Sequence, residues 1–203
     1  MIIRELKQTS QERFTLIFDD GSELKTTLAV VTDYFLRGGI ELDGDRYREV
    51  YNASTLSLCK ARAMRIINTR AMSRKEMRDK LVEKGESPEN AEFCADWLCE
   101  MGLINDRVYA GSVVRHYAAK GYGAVRIKQE LRRHGVPSEY WDEALSEMPQ
   151  QDDKLERFIA SRLSDPSDRA QIQKISNALY RRGYSWDQIK HALNNFTSEE
   201  DYQ

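Results

Sequence analysis

The chain has 203 residues, 40% of them apolar and 32% charged, with 31 Lys and Arg against 33 Asp and Glu for a formal net charge of −2. That balance is too apolar for a disordered chain and too polar for a membrane protein, and the length suits one or two domains. No apolar run approaches the ~20 residues a bilayer span needs, and the opening MIIRELKQ lacks the apolar stretch of a secretory leader, so a cytosolic location is expected.

The first ~40 residues have strand character. ERFTLIFDDGSELKTTL is two runs of β-formers around Asp20-Gly21, a pair that tolerates positive φ and therefore marks a hairpin. MIIREL ahead of it offers a third strand. Gly38-Gly39 breaks the chain, LDGDRYREV reads as turn-rich, and a small sheet with one short helix is expected there.

From about residue 47 the period becomes helical, and the chain aligns with itself. MRDKLVEKG, IKQELRRHG and ISNALYRRG match without gaps. Met77, Ile127 and Ile175 form one column, Leu81, Leu131 and Leu179 the next, and Gly85, Gly135 and Gly183 the third. Positions i and i+4 share a helix face, so each copy presents an apolar pair inward, and the glycine falls where a left-handed helix C-cap is wanted. Ser73 with Glu76 and Ser185 with Gln188 have capping-box spacing, Pro88 suits a first helical position, and Asn105 or Asp106 caps the segment after GLI.

The expectation is a mainly α chain: a tandem array of three three-helix repeats, elongated and curved, with an N-terminal β-rich segment. The divisions are 1–46 for that segment, 47–107, 108–150 and 151–198 for the repeats, and 199–203 for a tail. Trp97 and Trp141 sit in apolar-periodic settings and are assigned to the core, whereas Trp186 follows the Ser185 cap and is partly exposed. No long heptad seam argues for a coiled coil, so a monomer is expected.

Chemistry is sparse. Cys59, Cys94 and Cys99 are odd in number, lack C-x2-C spacing and have no histidine nearby, so they read as reduced thiols and no metal or other cofactor is expected. His116, His134 and His191 lie on polar helix faces or ends. Acids such as Glu199, Glu200 and Asp201 cluster in a solvated tail, and no G-x-S-x-G exists, so the chain reads as a non-enzyme. KGYG is a glycine-flanked turn without a phosphate-loop pattern.

What stands out is a basic island. Arg115–Gly135 holds six Lys or Arg and one acid, Glu130, whereas residues 1–55 hold seven bases and ten acids. Clustered cations steer acidic partners or nucleic acid. Arg115, Lys120, Arg126, Lys128, Arg132 and Arg133 are the candidate contacts, with Tyr122 either sealing its turn or joining them. Arg70, Arg74 and Arg78 form a second tier. As plain surface cations, Arg126, Arg132 and Arg133 are expected to accept replacement by Glu together without loss of stability. An alternative use of short helices with a basic second member is helix-turn-helix contact with DNA; the overall charge of −2 and the lack of a base-reading cluster oppose it.

RAMSRKEMRDKLVEKG, GLINDRVYAGSVVRHY and GYGAVRIKQELRRHGV resemble the signature segments of the RecX family, bacterial regulators of the RecA recombinase. The resemblance covers about residues 59–196, most specifically 70–136, and the third repeat departs most, lacking the Gly-Tyr-Gly lead-in. It implies a non-enzymatic modulator that binds the RecA filament on DNA, lodges in its groove and usually inhibits ATPase and strand exchange; single- or double-stranded DNA is a further candidate partner.

Overall fold

The computed structural model describes residues 1–198, and the tail acids Glu199, Glu200 and Asp201 lie outside them. The chain divides into two compact units, Met1–Ile104 and the residues from Asn105 onward.

In the first unit, strands β1 (Ile3–Ser10), β2 (Arg13–Phe18) and β3 (Glu23–Thr27) form an antiparallel sheet in sequential order. MIIREL does supply the third strand. The β2–β3 hairpin differs from a two-residue turn, since Gly21 alone takes positive φ, at 84°. The loop closes because Phe18 N–H donates to the Ser22 carbonyl (2.9 Å), Gly21 N–H donates to the Phe18 carbonyl (3.0 Å), and the Asp20 carboxylate accepts from the Ser22 N–H at 2.9 Å. Ile3, Leu16, Phe18 and Leu24 gather beneath the sheet.

After α1 (Leu28–Asp33) comes α2 (Gly44–Ile67), a 24-residue helix whose start is capped by the Asp43 side chain accepting from Arg46 N–H. It serves two cores. Val50 packs under the sheet, while Cys59 and Ala63 join the apolar cluster of Met77, Leu81 and Leu98. The sheet is tied to α2 by a buried and a half-buried hydroxyl pair: Ser54 donates to Thr26 at 2.8 Å, and Thr27 and Ser57 lie 2.7 Å apart. Helices α3 (Arg74–Glu83) and α4 (Pro88–Glu100) complete the unit. Ser73 and Glu76 form the expected capping box, and Ser87 caps α4 with Pro88 at its first position.

The second unit contains α5 (Asp106–Ala119), α6 (Ala124–Arg133), a 3-10 turn at Ser138–Tyr140, α7 (Trp141–Ser146), α8 (Asp152–Ala160), α9 (Arg169–Arg181) and α10 (Trp186–Ser198). Asn105 caps α5. Ile127 and Leu131 are buried with Val114 and Ala118; Ile175 and Leu179 are buried with Leu155 and Ile159. Each predicted i, i+4 pair therefore points inward.

The glycine column behaves as its spacing predicts, with φ of 86°, 67° and 87° at Gly85, Gly135 and Gly183. Gly183 carries a further duty. Its carbonyl accepts from Val125 N–H at 3.1 Å and the Arg182 carbonyl from Gly123 N–H at 2.9 Å, so the donors at the start of α6 are met by the carbonyls just past the end of α9. Gly123 and Gly183 face each other backbone to backbone: a Cβ on Gly123 would strike the Gly183 carbonyl, and one on Gly183 the Arg126 backbone. Tyr184 strengthens the junction by donating its hydroxyl to the Gly121 carbonyl at 3.1 Å. The Gly-Tyr-Gly lead-in of the second repeat is thus the socket for the third.

Candidate functional site

The helical period of α6 decides how the island is displayed. With Ile127 and Leu131 inward, Lys128 and Arg132 fall on one flank and Arg126 and Arg133 on the other. Glu130, three residues after Ile127, falls on the buried side; only 4% of it is exposed.

That buried acid organises one flank. Arg126 lies 2.9 Å and Arg133 2.7 Å from the Glu130 carboxylate, and Arg133 also donates to the Tyr117 hydroxyl at 3.0 Å. Burial would raise the Glu130 carboxyl, but the Tyr117 hydroxyl, Arg133 and Arg126 outweigh it and hold the group below the usual carboxylate range. Arg126 and Arg133 are therefore the counter-ions of a buried charge. Replacing them by Glu would set like charges beside Glu130, so the expectation that the triple Arg126, Arg132 and Arg133 substitution leaves stability unchanged is corrected by this geometry.

Tyr117, which the sequence did not single out, is the hub. Its ring lies 5.9 Å from that of Tyr122, tilted by 56°, and Lys120 Nζ sits over it at 5.4 Å. Tyr122 is half-buried against this cluster. The spacing of Glu130 four residues after Arg126 and three before Arg133 was a readable signal for the ion pairs; the Tyr117 contact, made between helices, was not.

The remaining candidates separate. On the other flank of α6, Lys128 meets Asp142 at 3.4 Å and Arg132 lies over the Trp141 ring at 5.9 Å. Arg115 donates to the Ser112 hydroxyl at 3.2 Å and lines an open cleft beside Glu143 and Glu147, where Arg107 pairs with Glu143. Arg115, Lys120 and Arg132 are the island members whose charge no carboxylate takes up in an ion pair among the described residues. In the first unit, Arg74 is clamped by Asp96 (2.6 Å) and Glu92 (2.5 Å), which raise its pKa, Arg78 meets Asp79 at 2.6 Å, and Arg70 meets Glu76 at 3.4 Å. The second-tier arginines thus act first in local ion pairs.

Trp97 and Trp141 are half-buried at the margins of their cores, so they cover the core more than they fill it. Trp186 is 53% exposed and stacks on Tyr180. Cys59 and Cys94 are unbridged thiols, and the Cys94 thiol together with burial pushes the Cys59 thiol up, away from nucleophilic chemistry. Among the described residues no group of three or more His, Cys, Asp or Glu is placed to hold a metal, and no helix is long and apolar enough to cross a membrane.

Three family models match this chain in order: the first three-helix domain of RecX at residues 59–98, the second at 105–145 and the third at 155–193. The Regulatory protein RecX of Xanthomonas axonopodis pv. citri is 34% identical over 134 residues, which cover 64% of this chain and 83% of that one. Its counterpart in Clostridium botulinum is 24% identical over 205 residues, 98% of this chain and 96% of the relative. A crystal structure of regulatory protein RecX superposes with a TM-score of 0.74 at 22% identity, covering 95% of this chain and 98% of that one, a likeness of fold. With every three-helix module matched and the identity sustained along the relative, the chain belongs to the RecX family.

Proposed function

We propose that this protein is a cytosolic, non-enzymatic regulator of the RecA recombinase that docks on the filament assembled on DNA and inhibits its ATPase and strand exchange in recombination and repair. The observation that carries this reading is the ordered match of all three helical modules to the three domains of the RecX family. The exposed cations of the second unit supply a mechanism. Among the described residues Arg115, Lys120 and Arg132 hold charge that no carboxylate takes up in an ion pair, so it is available to acidic side chains of a repeating polymer. Contacts repeated along such a polymer sum through effective concentration once the first is made.

The test is co-sedimentation with RecA, with and without an ATP analogue and single-stranded DNA, alongside the ATPase rate of the filament. Association stronger with the assembled filament than with naked DNA, together with a falling ATPase rate, supports the reading; association no stronger than with naked DNA and an unchanged ATPase rate defeats it. The informative variant is Arg115→Gln, Lys120→Gln and Arg132→Gln together, because these side chains leave no buried acid uncompensated.

A further inference from the structure

The first unit holds a concentration of cations that the basic island does not include. An open cleft of about 520 Å³ is lined by Arg13, Arg62, Arg65, Arg70, Lys80 and Lys84, and among the described residues lining it there is neither a carboxylate nor an aromatic ring. Four segments contribute. Arg62 and Arg65 stand at i and i+3 near the end of α2, with Thr69 in the turn just past it; Lys80 and Lys84 are i, i+4 at the end of α3; Arg70 comes from the turn between these helices and Arg13 from the start of β2.

Structural duties account for only part of this charge. Arg62 donates to the Lys84 carbonyl at 2.6 Å and lies 2.9 Å from Glu86, so it closes the end of α3. Arg70 meets Glu76 at 3.4 Å and Lys80 meets Glu83 at 2.9 Å, both carboxylates standing outside the cleft lining. Arg13 and Arg65 form no ion pair among the described residues; Arg65 donates only to the Ala61 carbonyl of its own helix, at 3.4 Å. Lys84 has only a longer-range attraction to Glu83. Arg13, Arg65 and Lys84 are all exposed. Like charges gathered in one concavity repel one another unless a polyanion enters, and a concave wall of one sign focuses their field.

We propose that this cleft binds the phosphodiester backbone of a nucleic-acid strand through Arg13, Arg65, Arg70, Lys80 and Lys84. Guanidinium forks and ammonium groups from separate elements match phosphates spaced along a strand. Without an aromatic platform there is nothing for bases to stack on, so the contact is blind to sequence. The cleft suits a strand better than an acidic peptide because its walls are mainly α2 and α3, whose backbone groups are paired within their helices and offer no edge for main-chain hydrogen bonds. The inference needs the first unit alone and stands apart from the recombinase reading, because its test contains no recombinase.

Anisotropy of a labelled mixed-sequence oligonucleotide, single-stranded and as duplex, is followed across a salt series with the full chain. Five phosphate contacts give a slope of log affinity on log salt of about −3.5 for a single strand. Changing Arg13→Gln, Arg65→Gln and Lys84→Gln together is expected to weaken binding at least about tenfold and flatten that slope by about 2, with circular dichroism unchanged; Lys120→Gln with Arg132→Gln leaves the slope as it was. On the unaltered protein, saturating oligonucleotide slows acetylation of Lys80 and Lys84 but not of Lys25, a measurement that stands even if the triple variant folds poorly. The proposal is overturned if the full chain binds neither strand form, if the folded triple variant keeps the parental slope, or if Lys80 and Lys84 stay open to acetylation at saturation. Competition by poly-glutamate as effective as by oligonucleotide of equal charge overturns it too, and identifies the cleft as a surface for an acidic protein.

Discussion

Glu130 is the residue on which the charge pattern of the second unit turns. A carboxylate buried to this extent is stable only while Arg126, Arg133 and Tyr117 surround it, because an unpaired buried charge is costly. Glu130→Gln retains the shape but not the charge and is expected to cost about 1–3 kcal/mol near neutral pH, read from denaturant unfolding. The pH dependence follows from the direction of the shift. The folded carboxyl lies below its ordinary value of 4.5, so its contribution is present above that value and disappears as pH falls through the lower, folded one. The gap between parent and Glu130→Gln should therefore be full at neutral pH and narrow as pH falls below 4.5; a gap constant over that range contradicts the ion-pair account. Two glycines make a second comparison. Gly85 and Gly183 have nearly equal φ, but an added Cβ meets open space at Gly85 and the Arg126 backbone at Gly183. Gly85→Ala should cost about 1–2 kcal/mol for the left-handed conformation alone, and Gly183→Ala that amount plus a further 1–3 kcal/mol for overpacking, measured as a difference in unfolding midpoints.

At the scale of elements, most of the helical body was legible because each signal was local. The paired apolar columns, the glycine stops, and the Ser73 and Ser185 boxes all act within four residues, and all appear where the spacing puts them. Ser73→Ala removes a side chain that satisfies Glu76 N–H at 3.0 Å, and is expected to lower stability by about 1–2 kcal/mol in thermal melts, with Ser73→Thr restoring most of it. The start of α2 was harder to read. LDGDRYREV has turn composition, yet Asp43 is an N-cap and Gly44 and Asp45 begin the helix, since the same residues that favour turns also favour caps. What local spacing could not supply was any pairing between elements. Arg126 with Glu130 is an i, i+4 pair and could be read; Lys128 with Asp142, Arg107 with Glu143 and the Tyr117 hub depend on packing. The cleft of the first unit was invisible for the same reason, because β2, α2 and α3 supply its uncompensated cations from positions far apart in the chain.

For the whole molecule, the net charge of −2 says little about how partners are met, because the sign of the surface is set locally. Among the described residues two cation sets lack carboxylate partners in direct ion pairs, Arg13, Arg65 and Lys84 in the first unit and Arg115, Lys120 and Arg132 in the second. Substitutions that share no partner usually add in free energy, so neutralising the sets separately and together is a double-mutant cycle on the intact chain. The first set, changed to Gln, should weaken binding to naked oligonucleotide while leaving capture by RecA protein without DNA intact. The second should do the reverse and relieve inhibition of the filament ATPase. On filaments carrying DNA, where both contacts operate, the combined variant should lose roughly the sum of the two free energies, beyond a margin of about 0.5 kcal/mol. A combined loss equal to the larger single loss would mean that one set serves both partners, and the division of labour between the units would fall.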